Sequence, residues 1–425
     1  MFKNSFLLLG DVHLPEQRDA RGIDHKDDAI SPAVANHLAP PKLQQVLRAA
    51  SSHLSNHTDC AILLCGDLSS RGALDDYSAC VQHLVDSLDL SSKPSSYLHV
   101  VPGNHDIDRR LCSDRDNLNL DAKFHPLESA WSESGIEAMS PHNVRGTEVV
   151  SNGCSASFYS LNTCIGCGEW RMLPESIRSE IGSAIDEYTN NSSEVEAFKL
   201  HGEQLDTPMV KGTHVTDLNE SIVALAPDCL PVVLAHHNIL PQATPRIALY
   251  TELINSGSLR TTLSKIGRPV IYCHGHIHDD PIEVISDATV SGSKLISISA
   301  PLLVDGFNVI DVHYTRSRSP IGVTVREMRL TPGGSVNETG QHRLPLCDKG
   351  IVGSCATELL RLTEVMGNDS LYANALRDRY NEGQASRVRK ETIAAFVHEA
   401  EWRGLLTVID RDANFDRWRV RRSAP

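Results

Sequence analysis

The sequence predicts an α/β layered core followed by a small, mainly helical C-terminal unit, on three observations. Short apolar, β-branched runs alternate with segments of helical period between Ser5 and Asp106. Each of these runs ends in a polar cluster rich in Asp, Asn or His. From Cys355 onward the pattern changes to three helical stretches and two short strands.

In order, "SFLLLGD" is a buried strand, "PPKLQQVLRAASSHL" has helical spacing, and "CAILLCGD" is a second strand. "YSACVQHLVDSL" is a second helix and "YLHVVPGNHD" a third strand. The region from 107 to about 230 is less patterned and reads as a cap or insert, with a strand at "ASFYSLNTC" and an amphipathic helix at "LPESIRSEIGSAIDEY". "LPVVLAHHN" and "RPVIYCHGHIH" repeat the theme of a strand delivering imidazoles. "KLISISAPLL", "FNVIDVHY" and "IGVTVREMRL" alternate as strands and are expected to complete a second sheet. These bounds give a core unit over 1–330, a turn-rich linker over 331–354 that begins "TPGGSVNETGQ", and a C-terminal unit over 355–425. That last unit reads as helices at "ATELLRLTEVMG", "SLYANALRDRYN" and "SRVRKETIAAFVHEAEWRG", then two strands around the "RDANFD" turn. It is either winged-helix-like or a plain helical unit that packs on the core or on a partner.

The chain has 425 residues, 40% hydrophobic and 22% charged, which places it among globular proteins and excludes disordered and fibrous classes. No apolar run has membrane-spanning length, and "FLLLGD" is too short for a leader and runs straight into Asp11 and His13. A cytoplasmic location without membrane partners is the expectation. Cysteines scattered through apolar strands suit buried thiols in a reducing compartment. "CIGC", Cys164 to Cys167, has zinc-pair spacing but no second pair. The formal net charge of −14 argues against a surface that clasps nucleic acid everywhere. The acid is uneven: from Ile351 on, 12 Lys and Arg face 11 Asp and Glu, leaving about −15 for the rest.

Open α/β sheets carry their ligand sites beyond the carboxyl ends of strands. Asp11, His13, Asp67, Asn104, His105, His236, His237, His276 and His278 all arrive there. Imidazole and carboxylate without thiolate suit borderline divalent metals, and so many ligands exceed what one ion with an open position can use. The ordered blocks "GDVH", "GDLSSRG", "PGNHD", "AHHN" and "GHIH" resemble the signature of the calcineurin-like metallophosphoesterases. The resemblance spans Asp11 to His278 and implies a four-layer αββα sandwich with two divalent ions at the sheet edge. Manganese is the first expectation, with iron, zinc, cobalt or nickel as alternatives.

Residue by residue, the resemblance implies Asp11, His13, Asp67 and His278 around one ion. Asp67, Asn104, His236 and His276 would surround the other, with Asp67 as the bridge. His237 is then structural or substrate-facing, and His274 a satisfied bystander. The implied chemistry is attack on phosphorus by hydroxide held between the ions. His105 is the expected acid, Asp106 its tautomer-fixing neighbour or a helix cap, and Arg71 a guanidinium fork for phosphate. "PGNHD" is closer to the phosphodiesterase and nuclease branches than to protein phosphatases, whose third block reads "RGNHE". The expected substrate is therefore a phosphodiester of a nucleotide or nucleic acid. The alternatives are a phosphomonoesterase or protein phosphatase, or the hydrolytic subunit of a larger complex docked through its C-terminal unit. A basic stretch, "RWRVRR", gives that unit a potential nucleic-acid contact, where Trp418 either stacks on bases or fills a small core.

Overall fold

The computed structural model describes residues 2–14, 41–69, 74–112, 120–136, 141–169, 207–241, 252–278, 281–351, 353–367, 369–411 and 413–423, with scattered positions between 175 and 187. The first half runs β1 (Phe2–Leu9), α1 (Pro41–Asn56), β2 (Ala61–Leu64), α2 (Leu74–Leu88), β3 (Leu98–Val100), α3 (His125–Glu133), β4 (Arg145–Ser151) and β5 (Cys154–Ser160). Then come α4 (Gly212–Val223), β6 (Cys229–Leu234), α5 (Ser256–Ser264), β7 (Pro269–His274), β8 (Glu283–Ile285), β9 (Lys294–Ser299), β10 (Gly306–Tyr314), β11 (Pro320–Leu330) and β12 (Val336–Pro345). The C-terminal elements are α6 (Ala356–Met366), β13 (Ser370–Tyr372), α7 (Ala373–Asn381), α8 (Lys390–Trp402), β14 (Leu406–Ile409) and β15 (Arg419–Arg422).

Two six-stranded sheets, ordered β12-β11-β10-β1-β2-β3 and β4-β5-β6-β7-β9-β8, lie face to face. The apolar runs read as continuous because both faces of their strands are buried. In β1, Phe6 and Leu8 point between the sheets, where Phe6 meets Phe158 edge-on at 5.4 Å, while Leu7 and Leu9 point outward. The outward residues pack on Leu43, Val46, Leu47, Ala50 and Leu54 of α1, which recur at helical spacing. On the far side, Val270 and Tyr272 of β7 pack on α4 and α5 through Leu218, Ile222, Leu259 and Leu263. The layers are thus helix, sheet, sheet, helix, as the family resemblance implies. Each fully buried Leu contributes about 1.5–3 kcal/mol of transfer free energy.

Several expected elements sit elsewhere. Of the three runs expected to complete a second sheet only β9 joins it; β10 pairs antiparallel with β1 and β11 with β10, so both extend the first. The segment read as a linker contains β12, paired with β11 from Leu330↔Val336 to Gly322↔Pro345. An edge strand with polar residues on both faces has no apolar period to show. The region read as a cap contributes β4 and β5 to the second sheet, with β5 parallel to β6, and α4 to the helical layer packed on it. The expected "LPESIRSEIGSAIDEY" helix lies mostly outside the described residues. "SLYANALRDRYN" is a three-residue strand followed by a helix rather than all helix. The cysteines are free and buried or half-buried, and no described helix is long and apolar enough to cross a membrane.

His99 on β3 stacks on Phe158 at 4.7 Å, and burial, helped by Arg145, pushes its pKa from 6.5 down to about 4 despite a backbone hydrogen bond with Ser96. Between those values the unfolded chain binds a proton that the folded chain refuses. The neutral ring's contribution is therefore complete above pH 6.5 and is lost as pH falls toward 4, by at most about 3 kcal/mol. Urea midpoints at pH 7.5 and pH 5.0 should differ, and the difference should shrink in the His99→Gln variant. An unchanged difference would remove His99 from the acid response.

Candidate metal centre

The loops after β1, β2, β3, β6 and β7 meet at one edge of the sandwich. The first two are laced together, since the Val12 and His13 amides donate to the Asp67 carbonyl at 3.0 and 2.9 Å. His13, Asp67 and His276 take positive φ values of 46°, 47° and 61°, a left-handed conformation unfavourable for residues with a Cβ. Strain at three of the residues that converge here indicates that the surrounding structure holds them for a purpose other than stability. The strand preceding the "HGHIH" cluster stops at His274, and His276 turns the chain, so the three histidines do not share a face.

The two carboxylates are almost fully buried, at 1% exposure for Asp11 and 2% for Asp67. In each, Oδ1 accepts a backbone N–H: His105 to Asp67 at 2.8 Å, and His276 to Asp11 at 3.3 Å. That leaves Oδ2 of each facing imidazoles. Asp67 Oδ2 lies 3.7 Å from His13 Nε2 and 3.5 Å from His236 Nε2, so it stands between two groups of donors. One group adds Asp11 Oδ2, 3.9 Å from His13 Nε2 and 3.2 Å from His278 Nε2. The other adds Asn104 Oδ1, 2.9 Å from His236 Nε2, with the His276 ring 5.2 Å from that of His236. All seven expected ligands therefore lie together at this edge of the sandwich.

Burial alone would raise the Asp11 pKa, but His236 and the hydrogen bond with His278 hold it below the usual carboxylate value. Asp67 is likewise driven low against burial, by His236, His105 and His13. Conversely, burial would lower His236, yet Asp67 and Asp11 raise it, and contact with Asp11 raises His278. The cluster therefore attracts positive charge. His236 shows where. Its Nδ1 donates to the Cys65 carbonyl at 2.7 Å, so in the neutral ring the Nε2 lone pair faces Asn104 Oδ1 and Asp67 Oδ2. Three electron-pair donors aimed at one point require a cation or a proton there. Donors about 3 Å apart suit an ion that binds them at about 2.0–2.2 Å. Among the described residues the donor sets Asp11, Asp67, His236 and His236, His237, His276 each bring their ligand atoms within 4.8 Å. The residues present fit divalent ions.

Gly275 adjoins this arrangement so closely that a Cβ would overlap Asp11 Oδ1 and press on Cys65. Gly275→Ala is therefore expected to displace the Asp11 carboxylate and weaken ion binding by about tenfold or more. The rise in melting temperature on adding manganese should shrink; an undiminished rise would mean the carboxylate tolerates the methyl group.

Other expected residues stand as follows. The His105 ring leans edge-on against His13, with centroids 5.0 Å apart, and is partly exposed. Of the two roles expected for Asp106 the structure shows the helix cap: its oxygens accept the backbone N–H groups of Ser69 at 3.0 Å and of Gly103 at 2.9 Å, ahead of the short helix Asn104–Asp106, and among the described residues it makes no hydrogen bond to the His105 ring. Its pKa is pushed up to about 7 by burial and the nearby Asp67 charge, against those hydrogen bonds. Arg71 lies outside the described residues. His274 is buried, its Nδ1 beside the Gly275 carbonyl. Trp418 is 6% exposed with its indole N–H on the Arg411 and Ala413 carbonyls, so it fills a core and does not stack on bases.

Two sets of contacts were not foreseen from the sequence. His237 Nδ1 meets Thr163 Oγ1 at 2.9 Å and lies 4.0 Å from Cys164 Sγ, which gives the "CIGC" pair a histidine neighbour but no second pair. The Cys164 thiol donates to the Pro102 carbonyl at 3.3 Å, and burial with the neighbouring His276 and His236 holds the His237 pKa well below its ordinary value. The same loop is pinned by the buried Lys123, whose ammonium donates to the Ile165 and Cys167 carbonyls and to Glu169 at 2.6–2.8 Å.

Comparison with solved structures finds a 5'-nucleotidase precursor from Thermus thermophilus, 12% identical, with TM-score 0.37, covering 79% of this chain and 56% of that one. A purple acid phosphatase from yellow lupin (Lupinus luteus) seeds is 9% identical, with TM-score 0.42 and coverage of 81% and 54%. The Haemophilus influenzae NAD nucleotidase is 11% identical, with TM-score 0.38 and coverage of 95% and 61%. The chain thus spans less than two thirds of the length of these proteins, and likenesses this weak carry no weight for activity. Comparison with curated proteins gives no match. The calcineurin-like phosphoesterase family model matches residues 5–280, the stretch that holds β2, β3, β6, β7, nearly all of β1 and the five loops that carry the candidate ligands. The chain belongs to the calcineurin-like phosphoesterase family.

Proposed function

We propose that this chain hydrolyses phosphate esters at a two-ion centre, with phosphodiesters of nucleotides or nucleic acid as its preferred class. The observation that supports it most is the position of Asp67 Oδ2 between His13 Nε2 at 3.7 Å and His236 Nε2 at 3.5 Å. In this reading Asp11, His13, Asp67 and His278 hold one ion, and Asp67, Asn104, His236 and His276 the other, with manganese the first choice. Such ions supply Lewis acidity toward phosphoryl oxygens and a nucleophile at neutral pH. The chain's residues do the rest. Backbone N–H groups of His105 and His276 fix the carboxylates, the Cys65 carbonyl fixes the His236 tautomer, and the partly exposed His105 gives a proton to the departing oxygen. Arg71 follows the Asp67 loop in sequence and is proposed to hold a phosphate oxygen.

The preference for diesters rests on the "PGNHD" block, where protein phosphatases of the superfamily carry "RGNHE". Purified protein with manganese should turn over bis-p-nitrophenyl phosphate faster than p-nitrophenyl phosphate, with cyclic nucleotides and single- and double-stranded DNA assayed alongside. Faster monoester turnover would replace this reading with a phosphomonoesterase. No turnover of any ester by ion-loaded protein would end the hydrolase reading.

A further inference from the structure

The C-terminal elements run α6-β13-α7-α8-β14-β15 with the sheet ordered β13-β15-β14, which is the arrangement of a winged helix. In that arrangement α8 would be the helix that enters a duplex groove. Here α8 is enclosed. Ile393, Phe396, Val397 and Ala400 face the unit's own core. On its other side Trp402 lies against Gly322 of β11, so closely that a Cβ at Gly322 would land on the indole, and the His398 ring sits 5.4 Å from that of His313 on β10. Glu401 pairs with Arg343 of β12 at 3.1 Å and with Arg411 from the β14-β15 turn, so the wing folds onto the same contact. The helix that would read a major groove is consumed in packing against the first sheet.

The opposite side of the small sheet is open. Val420 is buried with Leu371 and Val408 packed beside it, so alternation sends Arg419 and Arg421 outward. Register sets Tyr372 directly opposite Arg419 and Ser370 opposite Arg421 on one side, with Ile409 and Thr407 on the other. Tyr372 is 58% exposed, a large aromatic on the edge strand beside the arginines of the central β15. Most other basic residues of this unit are matched: Arg411 with Glu401, Arg403 with Glu399, Arg377 with Asp378, Arg379 with Asp369, and Lys390 with Asp416. Among the described residues Arg417, Arg419, Arg421 and Arg422 are exposed and take part in no ion pair. Unmatched guanidinium groups at alternate positions recur at about 6.8 Å along a strand and suit a chain of phosphates.

We propose that the outer face of the β13-β15-β14 sheet, centred on Tyr372, Arg419 and Arg421, binds a single strand of nucleic acid, with a base on the tyrosine ring and phosphates on the arginines. The choice of ligand rests on the diesterase reading. A flat face has nothing to insert into a duplex groove, whereas an exposed ring among arginines stacks unpaired bases irrespective of sequence. The strongly acidic remainder of the chain limits the contact to this patch.

The test is fluorescence anisotropy of a labelled 20-mer of deoxythymidine, a duplex of equal length and poly-glutamate, titrated with full-length protein at several salt concentrations. The single strand is expected to bind tightest. Arg419→Ala with Arg421→Ala should make the slope of log affinity against log salt shallower by about 1.4. Tyr372→Ala should weaken binding by about 5- to 150-fold while Tyr372→Phe keeps it. Melting temperatures of these surface variants should stay unchanged, and so should turnover of bis-p-nitrophenyl phosphate. Affinity unaltered by the arginine pair, tighter binding of the duplex with loss on Arg387→Ala and Arg389→Ala, or equal binding of poly-glutamate would each overturn the proposal. Turnover without single-strand binding would sink the face and leave the diesterase; binding through Tyr372 without turnover of any ester would do the reverse.

Discussion

The Asp67→Asn variant is expected to lose activity by at least about 10³-fold and to retain fewer than two ions per chain. Removing a residue that merely orients a ligand costs about 10- to 100-fold in metal affinity. Asp67 faces both donor groups through a single atom, with His13 Nε2 on one side and His236 Nε2 on the other, so its loss weakens both sites together. The asparagine variant is more informative than alanine. An amide oxygen can still accept the His105 N–H that now goes to Oδ1 at 2.8 Å, which keeps the loop in place while charge is removed. Elemental analysis of the purified variant is the direct measurement. Thermal melting gives a second: an ion present at about 100 times its Kd stabilises the folded state by about 2.7 kcal/mol, and most of that increment should vanish. Two full equivalents of bound metal in the variant would show that Asp67 is not shared.

Much of the architecture was legible because the central strands are buried on both faces. β1, β2, β6 and β7 carry apolar residues toward the space between the sheets and toward the flanking helices alike, so each reads as an unbroken run that stops at its polar cluster. β12 was illegible for the opposite reason, with mostly exposed polar side chains on both faces and only Val336 and Leu344 near its ends packed on the core. Sheet membership of β10 and β11 depends on antiparallel pairing with β1, some 300 residues away in sequence, which no local pattern encodes. β13 spans three residues, too few for any period to appear.

The ligand residues could be picked out by type and place, but their division of labour could not be derived without coordinates. It depends on which carboxylate oxygen is tied to a backbone amide, and on the Cys65 carbonyl that orients His236, a group with no side-chain signature. The same cause left the two roles expected for Asp106, tautomer-fixing neighbour or helix cap, undivided in the sequence. Adjacent to His105 in sequence, it turns its carboxylate toward the Ser69 and Gly103 amides.

That leaves the His105 ring without a hydrogen-bonded carboxylate among the described residues, which sharpens what its removal should do. Its backbone N–H, not its ring, steadies Asp67, and the ring makes no hydrogen bond to another described residue. In the His105→Ala variant the amide remains, so the ions should stay in full while turnover falls by about 10²- to 10⁴-fold on a dinucleotide, whose alkoxide leaving group needs a proton. On bis-p-nitrophenyl phosphate the departing phenolate is stable without one, and the loss should be under about tenfold. The comparison separates proton donation from a structural role, because a disturbed site would slow both substrates alike. Equal losses on the two esters, or a variant that comes out of purification short of metal, would assign His105 to holding the centre together.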